Sequence, residues 1–261
     1  MKNINKIHKF WKEKADICKT SPDASWGDSL MVREVRELSK YLHNGDNVLD
    51  VGCANGSSSI QFAKRKNVRL LGVDYVPEMI QNAREVKRKL PTSIADRITF
   101  KVGDALRLHV HSNYYDVVIS TRCICNLTSW DNQKRAVKQM WKALRPGGVL
   151  LISEPTFEGL KELNRIGHYF KLKPLTSPWH NLYVDEHKLL EFANQLFQIR
   201  IDYFSSTYYF LSRIIYRWIK GDDASKLRRN SLFNRVGILL PSIGTCGVQR
   251  LYIMKKRNSA L

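Results

Sequence analysis

Between Asn47 and Glu154, short apolar runs alternate with amphipathic stretches, and this alternation limits the fold more than any other feature of the sequence. The runs that predict strands are NVLDV (47–51), RLLGVD (69–74), ITFKVGD (98–104), YDVVIS (115–120) and VLLISE (149–154). The stretches between them that have helical spacing are SSIQFAKRK, PEMIQNAREVKRKL and residues 131–144. Alternating strands and helices predict an α/β fold with a parallel, doubly wound sheet, in which ligands bind at the carboxyl ends of the strands.

The sequence on either side extends this core. Residues 1–45 have helical spacing up to Asn44-Gly45 and predict an N-terminal helical cap, and residues 46–261 predict one domain. Its later elements are predicted to be a helix near 185–195 and strands at 198–208 and 248–256. Two insertions, 156–184 and 209–246, are longer than the sheet requires, and such long connections are usually functional or disordered.

The stretch VLDVGCANGSSS (48–59) follows the first strand and opens a helix, which is the context of a nucleotide-binding turn. Ala54 stands where the second glycine of a dinucleotide fingerprint would let the backbone approach a pyrophosphate. The Lys-Ser/Thr ending of a phosphate-binding loop is also missing. The turn therefore favours S-adenosylmethionine, which has ribose, adenine and an amino-acid tail. Asp74, at the end of the second strand, could accept hydrogen bonds from both ribose hydroxyls, and Asp104 could accept one from the adenine amino group.

Five segments in this order, VLDVGCANGSSS, GVDYVPEMI, VGDA, YDVVIS and LRPGGVLLISE, resemble the class I S-adenosylmethionine-dependent methyltransferases over about residues 46–154. The resemblance implies a Rossmann-like sheet of seven strands whose last strand is antiparallel, with the 209–246 insertion near the substrate side. It also implies a set of cofactor contacts. The methionine tail would meet Asp50, Gly52, Ala54, Asn55 and Gly56; the ribose and adenine would meet Asp74, Tyr75, Met79, Asp104 and Ala105; Ser120 would lie beneath the sulfonium.

The residues after the fourth strand, STRCICNL (120–127), should face the methyl group. They contain neither the Asn/Asp-Pro-Pro-aromatic run of amino-group methyltransferases nor the Pro-Cys pair of cytosine-C5 enzymes. The Asp of metal-dependent catechol-type enzymes and the paired glutamates of arginine methyltransferases are missing too. What remains is metal-free transfer to oxygen, or less often to a simple amine or carbon. The later pattern is similar to bacterial enzymes that methylate sugars, glycan ends or small metabolites.

A hydroxyl acceptor needs a general base, and His180 in SPWHNLYVDEH is the candidate, with Glu154 orienting it or binding substrate. The alternative is that His180 caps the helix that begins near Asp185. The predicted substrate-binding residues are Arg122, Asn126, Asn181 and Tyr183. Trp11 and Trp26 are candidates for a lid over the cofactor, although packing in the interior would explain them as well.

The chain carries 43 Lys+Arg against 24 Asp+Glu, a net charge of +19, which favours a polyanionic partner. Much of the excess lies in 209–261, where FLSRIIYRWIKG places cations between apolar residues at helical spacing. That pattern fits peripheral contact with an anionic membrane, a core helix with a solvated basic face, or an RNA-binding patch. Five scattered cysteines and the lack of an apolar run of about 20 residues predict a cytoplasmic protein, with peripheral attachment to a membrane as an open alternative. The acceptor is expected to be a small molecule or a glycan, which could itself be anionic. An RNA methyltransferase and a non-catalytic cofactor-binding scaffold remain alternatives.

Overall fold

The computed structural model describes residues 4–21, 29–222 and 231–257, so the proposed lid residue Trp26 and the segment 223–230 lie outside the described residues. Seven strands form one sheet in the order β3-β2-β1-β4-β5-β7-β6. The strands are β1 (Asn47–Val51), β2 (Arg69–Asp74), β3 (Ile98–Val102), β4 (Tyr115–Thr121), β5 (Leu144–Pro155), β6 (Phe197–Asp202) and β7 (Gln249–Lys256).

The strands β1 to β5 pair in parallel, and β7 runs antiparallel to both β5 and β6. This confirms the predicted doubly wound sheet and its antiparallel last strand. The sheet order reverses between β1 and β4, and ligands bind at such a switch point in open α/β sheets. The carboxyl ends of β1, β2 and β4 therefore meet where the glycine-containing turn and Asp74 were predicted to act.

Helices flank the sheet and occur in both insertions among the described residues. Before β5 they are α1 (Ile4–Cys18), α2 (Leu30–Ser39), α3 (Ser57–Arg65), α4 (Pro77–Arg88), α5 (Thr92–Ala95), a 3-10 turn (Ile124–Asn126) and α6 (Trp130–Ala143). After β5 they are α7 (Phe157–Tyr169), α8 (Glu186–Ala193), α9 (Ser206–Tyr209), a π-helical stretch (Phe210–Ile215), α10 (Tyr216–Lys220) and α11 (Leu232–Leu239). The division between a cap and a domain at residue 45 stays a prediction.

Three predicted boundaries differ from the structure. The strand expected at 198–208 ends at Asp202, and α9 begins at Ser206, because Tyr208 is buried as part of a helix against Gly237. The strand expected at 98–104 ends at Val102. The strand expected at 149–154 begins earlier, at Leu144, with an irregular register against β4 that Gly147 allows through its φ of +72°.

Both faces of the sheet are covered, as a doubly wound sheet requires. Val48 and Leu49 are adjacent in β1 and completely buried, but they belong to the two opposite hydrophobic layers. One layer lies against α2 and α3, and the other lies against α6 and α8. Because the strands are fixed on both sides, their carboxyl ends form a rigid base for the loops above them. Within the described ranges, no helix is both long enough and apolar enough to span a bilayer.

Candidate functional site

The turn after β1 is tightly fixed by its backbone. The N–H groups of Gly52 and Cys53 both donate to the carbonyl oxygen of Val73, at 2.8 and 3.0 Å. Gly52 has a φ of +79°, and a Cβ added there would come within 2.5 Å of the Cys123 Sγ. Only glycine adopts this positive φ readily and fits beside Cys123 without displacing it. The turn therefore leaves a backbone surface without side chains at the floor of a cleft.

Asp74, the last residue of β2, is held in the cleft by two backbone groups. Its Oδ2 accepts the Ala54 N–H at 2.9 Å and its Oδ1 accepts the Val76 N–H at 3.0 Å. Burial raises the pKa of Asp74 to about 6, although these backbone hydrogen bonds favour the charged form. Each oxygen of an ionised carboxylate can accept about two hydrogen bonds. The backbone of Tyr75 is a further hydrogen-bond partner of this carboxylate, and the acceptor capacity that remains is available to the ribose.

Two adjoining cavities occupy the carboxyl edge of the sheet. The larger has a volume of about 420 Å³, which is within the ~300–1,000 Å³ of small-molecule sites. They share Gly52, Asp74, Tyr75, Cys123 and Asn126. The larger cavity is also lined by Ile4, Asn5, Ile7, His8, Gly103, Asp104, Ala105, Leu106 and Leu127. The smaller is also lined by Trp11, Ala54, Val76, Met79, Thr121 and Arg122.

Helix α1 covers these cavities and is attached at several points. Asn55 in the turn donates to the carbonyl oxygens of Lys19 (3.0 Å) and Ser21 (2.7 Å), just beyond the end of α1. His8 packs edge-on against Tyr75, with ring centroids 5.2 Å apart. Trp11, which the sequence suggested as part of a lid, lines the smaller cavity. The helix thus separates the cleft from solvent on one side.

Four predicted cofactor residues do not belong to the described lining of either cavity. Asp50 is buried behind the turn, where its Oδ2 accepts the Ser59 hydroxyl at 2.5 Å and burial raises its pKa to about 6. Its Oδ1 has no hydrogen-bond partner among the described residues. Asn55 attaches α1. A Cβ on Gly56 would come within 2.5 Å of the Phe100 ring, so this glycine serves packing. Ser120 is completely buried. Their direct contact with a cofactor stays a prediction.

Glu154, predicted to act with His180, holds the loop after β4. Its buried carboxylate accepts the N–H groups of Cys123 (2.7 Å), Ile124 (2.9 Å) and Cys125 (3.2 Å). Burial raises the pKa of Glu154 to about 7, while these hydrogen bonds oppose the shift. The observed contacts therefore orient the loop that carries Cys123 and Asn126 into the cleft.

Asn126 connects three segments on the acceptor side. Its Oδ1 accepts from the Trp11 indole Nε1 at 3.1 Å and from the Asn181 Nδ2 at 3.3 Å. The ring of His180 stacks on Phe10 of α1, with centroids 4.3 Å apart. The structure thus brings Asn126, Asn181 and His180 together under α1.

The remaining predicted substrate residues have structural partners as well. Tyr183 packs against Phe157, with ring centroids 6.1 Å apart, and burial raises its pKa to about 12. Arg122 lines the smaller cavity, but its guanidinium forms a buried ion pair with Glu34 of α2. Glu34 also accepts the Ser153 hydroxyl at 2.6 Å. Glu34 was not predicted from the sequence, where its only signal was a charge within the amphipathic pattern of α2.

Other lining residues that sequence reasoning missed include His8, Val76 and Leu106. Thr121, Cys123 and Leu127 belong to STRCICNL, which was expected to face the methyl group. Val76 lies two residues beyond the end of β2, so its strand position was a usable signal. His8 carried no such signal, because the packing of α1 over the cleft depends on contacts between segments distant in sequence.

Comparison with known proteins agrees with this geometry. A family model described as a methyltransferase domain matches residues 42–194. The 27-O-demethylrifamycin SV methyltransferase of Amycolatopsis mediterranei is 27% identical over 113 residues, which cover 43% of this chain and 40% of that protein. The chain spans 35% to 56% of the length of four curated relatives that it matches.

Two solved structures share the fold. One is a chain of the complex between the Haloferax volcanii Trm112 methyltransferase activator and a methyltransferase, with a TM-score of 0.64 at 15% identity, covering 95% of this chain and 97% of that chain. The other is the Haemonchus contortus phosphoethanolamine N-methyltransferase 2 in complex with S-adenosyl-L-methionine. It has a TM-score of 0.56 at 19% identity and covers 87% of this chain and 52% of that chain.

Proposed function

Because the chain belongs to the class I S-adenosylmethionine-dependent methyltransferases, we propose that it transfers a methyl group from S-adenosylmethionine to a hydroxyl oxygen of a small molecule, sugar or glycan, without a metal ion. The observation that carries this proposal is the cleft at the switch point of the sheet. There, a turn with a glycine that tolerates no Cβ adjoins the buried carboxylate of Asp74.

The residues of the cleft fit the cofactor. The remaining acceptor capacity of the Asp74 carboxylate suits the ribose, and Tyr75, Val76 and Met79 provide apolar surface for the adenine ring. Asp104 lines the larger cavity, where it could accept from the adenine amino group. The bare backbone of the turn at Gly52 suits the methionine tail. The two cavities share five lining residues, so together they would hold one elongated ligand.

When bound, S-adenosylmethionine supplies an electrophilic methyl group on a sulfonium. The protein's part is to align the acceptor, exclude water and handle the proton that a hydroxyl loses. Helix α1 would exclude water from the cleft, because its residues Trp11 and His8 line the two cavities. The hydroxyl of Thr121 and the amide of Asn126 line the cleft beyond β4 and could orient an acceptor.

We keep His180 as the proposed general base, because its ring contacts Trp11 at 5.9 Å between centroids and Trp11 lines the smaller cavity. A histidine is suited to this step because its side chain ordinarily titrates near neutrality. Glu154 would act as a positioning residue, since its carboxylate holds the loop that carries Asn126. An oxygen acceptor is favoured over nitrogen because residues 120–127 lack the Asn/Asp-Pro-Pro-aromatic run.

The test is a transfer assay with isotopically labelled S-adenosylmethionine, offered to free sugars, nucleotide sugars, phenols, simple amines and RNA. The expected product is an O-methyl ether, identified by mass spectrometry. Labelling of amines alone or of RNA alone would refute the proposed acceptor class. His180→Asn should lower kcat and remove the acidic limb of the pH profile, because a general base loses activity when it is protonated. Glu154→Gln should lower kcat without removing that limb. A normal kcat in His180→Asn would show that another group is the base.

A further inference from the structure

Helix α11 turns an apolar side towards solvent. Leu232, Val236 and Leu239 recur at helical spacing, and Leu240 and Ile243 continue the same line beyond the end of the helix. These five residues, the apolar stripe, have exposed fractions between 38% and 77%. A helix at the surface of a globular protein normally turns such a stripe towards the core. Contiguous exposed apolar residues of this kind mark interaction surfaces.

The other side of α11 is fixed against the protein. Gly237 is buried against α9, where a Cβ would come within 3.1 Å of the Tyr208 Cα, and Asn234 is buried as well. At the end of the helix, the Arg33 guanidinium donates to the carbonyl oxygens of Gly237 (3.1 Å) and Leu240 (2.6 Å). The helix cannot turn its apolar side inward without breaking these contacts. The outward stripe is therefore built into the packing.

Cations accompany the stripe. Arg235 is exposed on α11 itself, between Leu232 and Val236. Arg36 and Lys40 of α2 line a groove of about 400 Å³ that also contains the leucines at the end of the stripe. The acidic residues of this groove are Glu37, which pairs with both of these cations, and Asp202. The described charge beside the stripe is therefore positive on balance.

Helix α10 adds an exposed aromatic residue. The rings of Tyr216 on α10 and Phe233 on α11 are in contact, with centroids 5.6 Å apart, so the two helices are neighbours. Trp218 and Ile219 are exposed at the end of α10, and Lys220 follows them. Tryptophan beside lysine or arginine is typical of surfaces that meet a membrane at the level of the headgroups.

A second copy of the chain and an anionic lipid surface are the two occupants to compare. A two-fold dimer through this face would place each stripe, with its Arg235, against the same surface of the partner. It would also join two chains of net charge +19, which repel each other. An anionic lipid surface attracts the same charges and accepts apolar side chains below them.

We propose that the apolar stripe docks the protein on an anionic lipid bilayer. Leu232, Val236, Leu239 and Ile243 enter the boundary between headgroups and acyl chains, while Arg235 stays at the level of the phosphates. This surface overlaps the segment FLSRIIYRWIKG only at its exposed end, Trp218 and Ile219, because Ile214 is buried in the core and Arg217 is buried with Asp222 as its partner. The proposal does not depend on methyl transfer.

The test is flotation of the full chain with phosphatidylcholine vesicles that contain or lack phosphatidylglycerol. We expect flotation with the anionic vesicles only, and less of it at high salt. The double variant Leu239→Ser/Ile243→Ser should lower the partition coefficient at least about tenfold. The matched variant Ile17→Ser/Val102→Ser, which changes two exposed apolar residues elsewhere, should keep it.

Calorimetric binding of S-adenosylmethionine to each variant separates loss of docking from loss of the fold or of the cofactor site. The proposal is overturned if the wild type does not float with anionic vesicles, or if the stripe variant floats as well as the wild type. It is also overturned if light scattering shows a dimer in the wild type that the stripe variant dissociates and vesicles do not bind. Binding to RNA without binding to vesicles would also overturn the proposal.

Discussion

The two sides of the cleft are built from different kinds of contact. On the side of β1 and β2, backbone groups set the geometry: the N–H groups of Ala54 and Val76 hold the Asp74 carboxylate, and the Val73 carbonyl holds the turn. All of these residues lie within or next to two adjacent strands. We call this the cofactor side.

On the acceptor side, beyond β4, side chains from separate segments hold one another. Trp11 of α1 and Asn181 of the loop before α8 both donate to Asn126, and His180 stacks on Phe10. The comparison teaches that the cofactor side is determined by local sequence, whereas the acceptor side depends on how distant segments pack. Changes on the first side should abolish cofactor binding, and changes on the second should alter transfer while leaving the cofactor bound.

The largest expected effect is that of Asp74→Asn. The amide nitrogen of an asparagine donates and cannot accept, so one ribose contact is lost. The same nitrogen would also face the backbone N–H of Ala54 or Val76, and two donors cannot hydrogen-bond to each other. A hydrogen bond to a charged group contributes roughly 1.5–3 kcal/mol, so we expect a ~10- to 100-fold weaker affinity for S-adenosylmethionine. Calorimetric titration measures it, with the exposed carboxylate variant Asp131→Asn as the control. Unchanged affinity in Asp74→Asn would contradict the assignment of this carboxylate.

A second test of the cofactor side compares two glycines with positive φ. Gly52→Ala introduces a Cβ 2.5 Å from the Cys123 Sγ, whereas Gly45→Ala has the same kind of backbone strain (φ +94°) with no described atom within 4 Å. Both variants should lose on the order of 1 kcal/mol of stability through backbone strain, and Gly52→Ala should lose more because of the contact with Cys123. Only Gly52→Ala should also weaken cofactor binding, by roughly tenfold or more. Thermal unfolding and calorimetry give the two quantities. Equal cofactor affinity in both variants would mean that the turn does not contact the ligand.

The same contrast explains which parts of the molecule the sequence could predict. The strands between Asn47 and Glu154 and the position of Asp74 followed from apolar periodicity and strand ends, which are local properties. The ion pair of Arg122 with Glu34 did not, because it joins α2 to the loop after β4. Helix α7 in the 156–184 insertion was also missed. Its local signals were the Thr156 N-cap, whose hydroxyl accepts the Gly159 N–H at 3.0 Å, and apolar residues at helical spacing, and they were not recognised.

Acid should weaken cofactor binding through Asp74. Burial raises the pKa of this carboxyl to about 6, so at pH 5 only about a tenth of it is ionised and able to accept from the ribose in this way. We expect the affinity to be constant above pH 7 and to fall about tenfold by pH 5. Calorimetry across this range measures it. Asp50 has a similar pKa, so Asp50→Asn is the control: the pH dependence should persist in it and disappear in Asp74→Asn.

The smallest effect is expected on the acceptor side, with Asn126→Ala. This change removes the shared acceptor of Trp11 and Asn181, and each such hydrogen bond contributes about 1 kcal/mol. Because Asp74 and the turn keep their backbone partners, the Kd for the cofactor should change less than about threefold, while kcat/KM for the acceptor should fall about tenfold. Trp11→Phe removes the indole donor but keeps a ring over the cleft, so kcat/KM for the acceptor should fall less than it does in Asn126→Ala. If both variants weakened the cofactor instead, α1 would belong to the cofactor side, and the two sides of the cleft would be one coupled unit.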